Sequence, residues 1–175
     1  MTAPTLRTES FVLRPLQPSD AAALLALFGD PRVTEHMDID PLTDLAGAEA
    51  IIAWTQEIAA AGTGVRWAIL ADDALIGTCG LQNIVHERGR RGEVAYDLAP
   101  AWWGRGVMGE VLPAVLNHGF QTLGLRRIEA FVNPGNARSE RLLARHGFSL
   151  EGTLRDYAYW RGRFWDQRLY ARLAD

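Results

Sequence analysis

Gly92-Glu-Val-Ala-Tyr-Asp-Leu-Ala-Pro-Ala-Trp-Trp-Gly-Arg-Gly-Val-Met-Gly-Glu110 changes its hydrophobic period part-way along. Gly92 to Leu98 reads as a strand, whereas Val107, Met108, Val111, Leu112, Val115, Leu116, Phe120 and Leu123 trace one helical face. Gly104, Gly106 and Gly109 sit at the change-over. A strand that turns through glycines into a helix leaves unpaired N–H groups at the helix start, where the dipole also favours an anion. Glycine either lets phosphate oxygens approach the backbone with no Cβ in the way, or only supplies the conformations of a tight turn; the fragment alone fits both. Pro113 falls inside the helical run and predicts a bend.

Upstream, Arg66 to Ala71 and Ala74 to Leu81 are β-like, joined by Asp72-Asp73 and connected to the Gly92 strand by the charged tip His86 to Arg91. These three predict an antiparallel meander. Before them, Phe11 to Leu16 reads as a strand, and Ser19-Asp20 offers an N-cap for a helix over Ala21 to Phe28 that Gly29-Asp30-Pro31 stops. Arg32 to Leu42 predicts a loop or a short helix. Leu45, Ala48, Ile51, Ile52, Trp54, Ile58 and Ala59 give an amphipathic helix from Asp44 to Ala60, ended by Gly62 and Gly64. Downstream, Arg127 to Val132 is a strand, and Asn136 caps a helix from Ala137 to His146 that Gly147 ends. Phe148 to Leu173 closes the chain as a hairpin about Arg161-Gly162. No linker or repeat interrupts this order, so residues 1–175 are expected to form a single mixed α/β (α+β) domain.

The 175 residues are 48% hydrophobic and 22% charged, which excludes disorder as the main state. A chain this long buries roughly 70% of its unfolded surface and needs no disulfide or structural metal to hold a core. Its lone cysteine, Cys79, cannot pair within the chain and points to a reducing, cytoplasmic setting. Eighteen Lys and Arg against twenty-one Asp and Glu leave a net charge of −3, too balanced for a protein that binds nucleic acid by neutralising many phosphates. Met1 to Arg7 carries no apolar leader segment, and no apolar run is long enough to span a membrane; a soluble, uncleaved protein is expected. His36, His86, His118 and His146 show no ligand spacing, so no metal is expected. Cys79 lies in an apolar run, which predicts a buried inert thiol rather than an acyl-enzyme nucleophile.

Gly104, Gly106 and Gly109 also fit Gly-x-Gly-x-x-Gly, with Glu129 near the spacing of a ribose-binding acid in a dinucleotide site. The context opposes that reading, because a dinucleotide fold opens on this loop and continues in parallel β-α-β units. A nucleotide P-loop fails as well, since no Gly-Lys-Ser/Thr follows.

Taken in order, Leu13-Arg-Pro-Leu16, Ser19-Asp-Ala21, Ile76-Gly-Thr78, Gly92-Glu-Val-Ala-Tyr96, Leu98 to Gly106, Asn136-Ala-Arg-Ser139, His146-Gly-Phe148 and Glu151-Gly152 resemble the GNAT superfamily of N-acetyltransferases. More narrowly they resemble its RimJ/RimL branch, which acetylates the N-terminal α-amines of ribosomal proteins. The likeness runs from about residue 8 to residue 173. It implies a twisted, mostly antiparallel sheet, splayed in the middle and flanked by helices, with the pantetheine arm of acetyl-CoA in the splay. It assigns the CoA pyrophosphate to the backbone of Gly104, Arg105, Gly106, Val107, Met108 and Gly109, with Leu98, Trp103 and Asn136 completing the cofactor set. Two residues depart from the family pattern: Met108 stands where Ala or Gly is usual, and Ala95 where Gly is common.

Acetyl transfer needs a neutral amine, a polarised thioester carbonyl and a proton for the departing thiolate. Glu93 resembles the family's strand carboxylate, the candidate base; it also reads as an exposed strand residue paired with Arg90 or Arg91. A backbone N–H near Leu98 would meet the oxyanion. For the acid, Ser139 matches the branch's Asn-x-x-Ser, where the serine lies near the CoA sulfur, and it also reads as a helix-start hydroxyl serving exposed N–H groups. Asn136 either serves only as a cap or both caps and contacts pantetheine. By the same resemblance residues Asp30 to Asp44 would form one wall of the acceptor site, with Glu35, Asp38, Asp40 and Asp44 suited to a cationic amine. The expectation is therefore an acetyl-CoA-dependent N-acetyltransferase acting on an amine by direct transfer, with a protein N-terminus as favoured acceptor. A small-molecule amine acetyltransferase and a non-catalytic acyl-CoA sensor are the alternatives. Dimers are common in the branch, and the aromatic hairpin of Tyr157, Tyr159, Trp160, Phe164, Trp165 and Tyr170 is a candidate homodimer contact. Asp166 matches a family aspartate of unassigned role.

Overall fold

A computed structural model describes residues 3–175; Met1 and Thr2, part of the stretch read as lacking a leader, lie outside the described residues. Among the described residues eight strands form one sheet in the order β1-β2-β3-β4-β5-β6-β8-β7. Its strands are β1 (Leu6–Arg7), β2 (Val12–Pro15), β3 (Val65–Ala71), β4 (Ala74–Val85), β5 (Arg91–Leu98), β6 (Arg127–Val132), β7 (Ser149–Trp160) and β8 (Arg163–Leu173). Every neighbouring pair is antiparallel except β5 and β6, as the resemblance implied. The meander β3-β4-β5 matches the sequence reading, with Asp72 and Asp73 both at positive φ in a two-residue turn. Two details differ. The short β1 was not foreseen, because two residues carry no period, and β4 runs four residues past Leu81 to Val85.

The helices are α1 (Ala21–Gly29), α2 (Pro31–Thr34), α3 (Leu45–Ala61), α4 (Val107–Asn117) and α5 (Ala137–Arg145). Asp44 caps α3 by accepting from Gly47 N at 2.9 Å, and Asn136 caps α5 by accepting from Ser139 N at 3.3 Å. Asp20 precedes α1 as expected but does not serve its N–H groups. Its carboxylate accepts from both terminal nitrogens of Arg14 at 2.8 Å and from Gln17 N at 2.7 Å, which fastens the α1 entry to β2. The helix expected to run to Leu123 stops at Asn117 and widens into a π turn over His118–Thr122. There Gly119 lies against the sheet so closely that a Cβ would come within 2.9 Å of Leu81 Cδ1. Pro113 stays inside α4.

Strand alternation divides the apolar residues between two cores. Trp67, Cys79, Leu81 and Val94 pack with Val111 and Leu112 of α4. On the other face, Ala68 and Leu70 pack with Leu24 and Phe28 of α1 and Ile52 of α3. Truncating a fully buried leucine such as Leu112 to alanine would cost about 2–5 kcal/mol. Among the described residues no helix is long and apolar enough to cross a membrane.

Candidate active site

The parallel pairing of β5 with β6 covers only three rungs, ending at Glu93 opposite Glu129, after which the strands part. Ala99 N donates to Ile76 O at 2.8 Å, so in the antiparallel β4–β5 ladder the odd-numbered β5 residues bond β4. The N–H groups of Tyr96 and Leu98 consequently point the other way, into the gap. The carbonyl of Leu98 is already engaged by Trp103 Nε1 at 2.8 Å, which leaves the Leu98 N–H as the free group of that residue.

Gly104 and Gly106 adopt φ of 73° and 76°, the left-handed conformation that favours glycine, and turn the chain from the end of β5 into α4. A Cβ built on Gly104, Gly106 or Gly109 meets nothing within 4 Å, so open space lies over the loop. The first ladder bond of α4 is Glu110 N to Gly106 O, at 3.2 Å, and the N–H groups of Val107, Met108 and Gly109 precede it. Arg138 of α5 lies over the Trp103 ring at 4.0 Å and Arg105 over Trp102 at 5.1 Å, adding positive charge beside those donors. Met108 does not crowd the loop, because its side chain is buried in the core with Val107. Gap, donors and open space together fit a phosphate-bearing cofactor with an extended arm.

Across the gap, α5 presents Ser139. Its Oγ lies 2.5 Å from the hydroxyl oxygen of Tyr96. Tyr96 was not among the residues singled out from the sequence. The signal was the strand period, which puts Val94, Tyr96 and Leu98 on one face of β5. Burial pushes the Tyr96 phenol well above its ordinary pKa, so it stays protonated, although the bond to Ser139 works the other way.

Glu93 lies on the opposite face of β5. Its Oε2 accepts from Asn83 Nδ2 at 2.9 Å and from Gln82 Nε2 at 3.5 Å, and among the described residues Arg91 acts on it through its charge without a close ion pair. Burial raises its pKa, the Glu129 carboxylate beside it adds to the rise, and the Asn83 and Gln82 bonds and the Arg91 charge oppose it. It sits three residues before Tyr96 and five before Leu98, about 10 Å and about 16 Å along the strand. Between them, Asp97 accepts from Thr78 Oγ1 at 2.8 Å and pairs with Arg66 in a buried ion pair.

The expected acceptor wall is held by Arg161 at the β7–β8 tip, which donates to the carbonyls of Thr34 at 2.9 Å and Ile39 at 3.0 Å. Of the four acids expected to receive a cationic amine, Asp44 is used as the α3 cap and Asp40 faces Arg161 at 3.4 Å. Glu35 and Asp38 remain exposed. Asp166 accepts from Asp156 N at 2.9 Å and so braces the bulge in β7. In the aromatic hairpin, Trp160 stacks on Trp165 with centroids 5.0 Å apart, while Tyr157, Tyr159 and Phe164 stay exposed.

The family described as acetyltransferase (GNAT) domain matches residues 10–149. The chain belongs to this family. The GNAT chain is 39% identical over 171 residues to the uncharacterized N-acetyltransferase p20 of Bacillus licheniformis, spanning 97% of this chain and 96% of that one. It is 29% identical to the [ribosomal protein uS5]-alanine N-acetyltransferase of Escherichia coli, over 95% and 89% of the two chains. Its fold superposes on Mycobacterium smegmatis RimJ in complex with CoA-disulfide with a TM-score of 0.88 at 27% identity, covering 98% of this chain and 86% of that one. The GNAT fold read from the sequence agrees with these relatives.

Proposed function

We propose that this GNAT enzyme moves the acetyl group of acetyl-CoA directly to a primary amine, and that the acceptor is a protein N-terminal α-amine. The observation that carries the transfer chemistry is the gap itself. It sets the free N–H groups of Tyr96 and Leu98 between a glycine loop made for phosphate and a hydroxyl on α5. In this reading the backbone from Gly104 to Gly109 holds the pyrophosphate, with Trp103 fixing the strand end beside it. Asn136 contacts pantetheine as well as capping α5. The Leu98 N–H, joined by that of Tyr96, meets the charge that develops on the thioester oxygen. As the C–N bond forms and the C–S bond breaks, the sulfur leaves as a thiolate that Ser139 steadies by a hydrogen bond. The amine proton passes through water to Glu93, whose raised pKa suits a base.

Transfer without an acyl-enzyme is supported by Cys79. It is fully buried, and burial pushes its thiol up to about 12, so it offers no thiolate to attack a thioester. The acceptor reading draws support from the uS5-alanine enzyme, which the chain resembles over nearly its whole length, and from the exposed acids Glu35 and Asp38. The same reading has the enzyme work in the cytoplasm. It also has the exposed Tyr157, Tyr159 and Phe164 meet a second copy of the chain, which sedimentation as a monomer would refute.

The test is release of CoA from acetyl-CoA with short peptides of different N-terminal residues, beside aminoglycosides, polyamines and free amino acids. Turnover confined to peptides is expected. Turnover confined to small amines moves the acceptor to that class, and none on any amine leaves an acyl-CoA sensor.

A further inference from the structure

Ser139 stands at the third position of α5, where its backbone N–H is taken by Asn136 Oδ1 at 3.3 Å. A serine there ordinarily turns its hydroxyl back to nearby backbone groups. Here the hydroxyl instead meets the Tyr96 phenol, at 2.5 Å, across the parted strands. Either oxygen can donate, and the chemistry of the two groups decides between them. A phenol is the stronger acid and the better donor toward an alcohol oxygen. Burial, with the Asp97 carboxylate and Cys79 nearby, disfavours the tyrosinate, so the phenol keeps its proton to give. Once Ser139 Oγ accepts, its single hydrogen is free to point elsewhere, and the open direction is the gap.

We propose that Tyr96 is a positioning residue for Ser139: it donates to the serine oxygen and thereby aims the serine proton at the coenzyme sulfur in the gap. No proton leaves Tyr96 in this role. The phenol fixes a rotor that would otherwise return to the helix start, and the same residue directs its own N–H into the gap. The inference rests on the proposed acetyl transfer for its purpose, but its test needs no amine.

The experiment is a pH titration of the thiol of CoA bound to the protein, read by thiolate absorbance, in the parent, Tyr96→Phe, Ser139→Ala and the double variant. A serine proton aimed at sulfur stabilises the thiolate, so the bound thiol is expected to titrate below free CoA in the parent. Each single variant is expected to raise it by roughly one unit, the tenfold worth of a hydrogen bond, and the double variant by no more than either. CoA affinity measured at a pH below that titration is expected to stay within about twofold, because Phe keeps the ring packing. An unshifted thiol in the parent, no change in Tyr96→Phe, additive shifts in the double variant, or loss of CoA binding in Tyr96→Phe would each overturn the proposal. A failure of every amine to turn over would overturn the acceptor reading and leave this result standing.

Discussion

His146 Nε2 lies 3.1 Å from the carbonyl oxygen of Gly109. That carbonyl would normally accept the N–H four residues on, but the residue there is Pro113, which has none. The other ring nitrogen, Nδ1, faces the Leu142 carbonyl at 2.8 Å, so a neutral ring donates to Gly109 only as the tautomer with its proton on Nε2; in that form the end of α5 supplies what proline removes from α4, one turn past the glycine loop. His146→Ala is expected to lower stability by about 1 kcal/mol, a shift of roughly 2–4 °C in Tm. In a Pro113→Ala background, where the helical N–H returns, the same change should cost much less. Equal losses in both backgrounds, read by thermal unfolding, would show that the contact does not compensate for the proline.

Gly109→Ala separates folding from binding. The residue needs no left-handed conformation, and an added methyl meets nothing in the protein. Helix propensity then predicts a gain of up to about 1 kcal/mol in stability. If phosphate occupies the open space, the methyl obstructs it, and affinity for acetyl-CoA should fall at least tenfold while Tm rises. A variant that binds acetyl-CoA as the parent does would place the pyrophosphate elsewhere.

Glu93→Gln joins stability to activity. Burial raises the Glu93 pKa in the folded state, so the folded protein holds this proton more tightly than the unfolded chain does. Its contribution is fully present below the ordinary value of 4.5 and is lost as pH rises through the raised folded value. Removing the charge should make the variant more stable than the parent at pH 7. Its kcat/KM should fall and lose the rise with pH that ionisation of Glu93 gives. An unchanged pH profile of kcat/KM would remove Glu93 as the base.

Asp97→Ala strands Arg66, whose side chain is 8% exposed. Removing one member of a buried pair costs about 3–5 kcal/mol, so denaturant unfolding should show a large loss. Replacing Arg66 and Asp97 together with apolar residues of similar size should recover most of it.

Arg161→Ala removes three carbonyl contacts and an ion pair from the segment between α1 and α3. The expected result is a several-fold rise in KM for the amine with KM for acetyl-CoA unchanged. A rise in both would mean that the hairpin tip supports the whole fold rather than the acceptor wall.

The elements legible in the sequence were those set by neighbours along the chain. Apolar spacing marked α3 and α4, Asp44 and Asn136 marked helix starts, and Asp72-Asp73 and Arg161-Gly162 marked turns. Local signals also misled where a distant partner competed. The Asp20 carboxylate went to Arg14 instead of to the helix. Tyr96 escaped notice because its partner lies 43 positions away on another element.

The sequence by itself determined the glycine turn, the strand period that sends Tyr96 and Leu98 to one side, and the order of motifs that marks a GNAT chain. These are properties of backbone conformation and of residues a few positions apart. Only the tertiary structure decided that β5 and β6 part after Glu93, that Tyr96 meets Ser139 across the opening, and that His146 answers for Pro113. A hydrogen bond depends on distance and direction in space, and those are fixed only when the sheet twists and the helices pack against it.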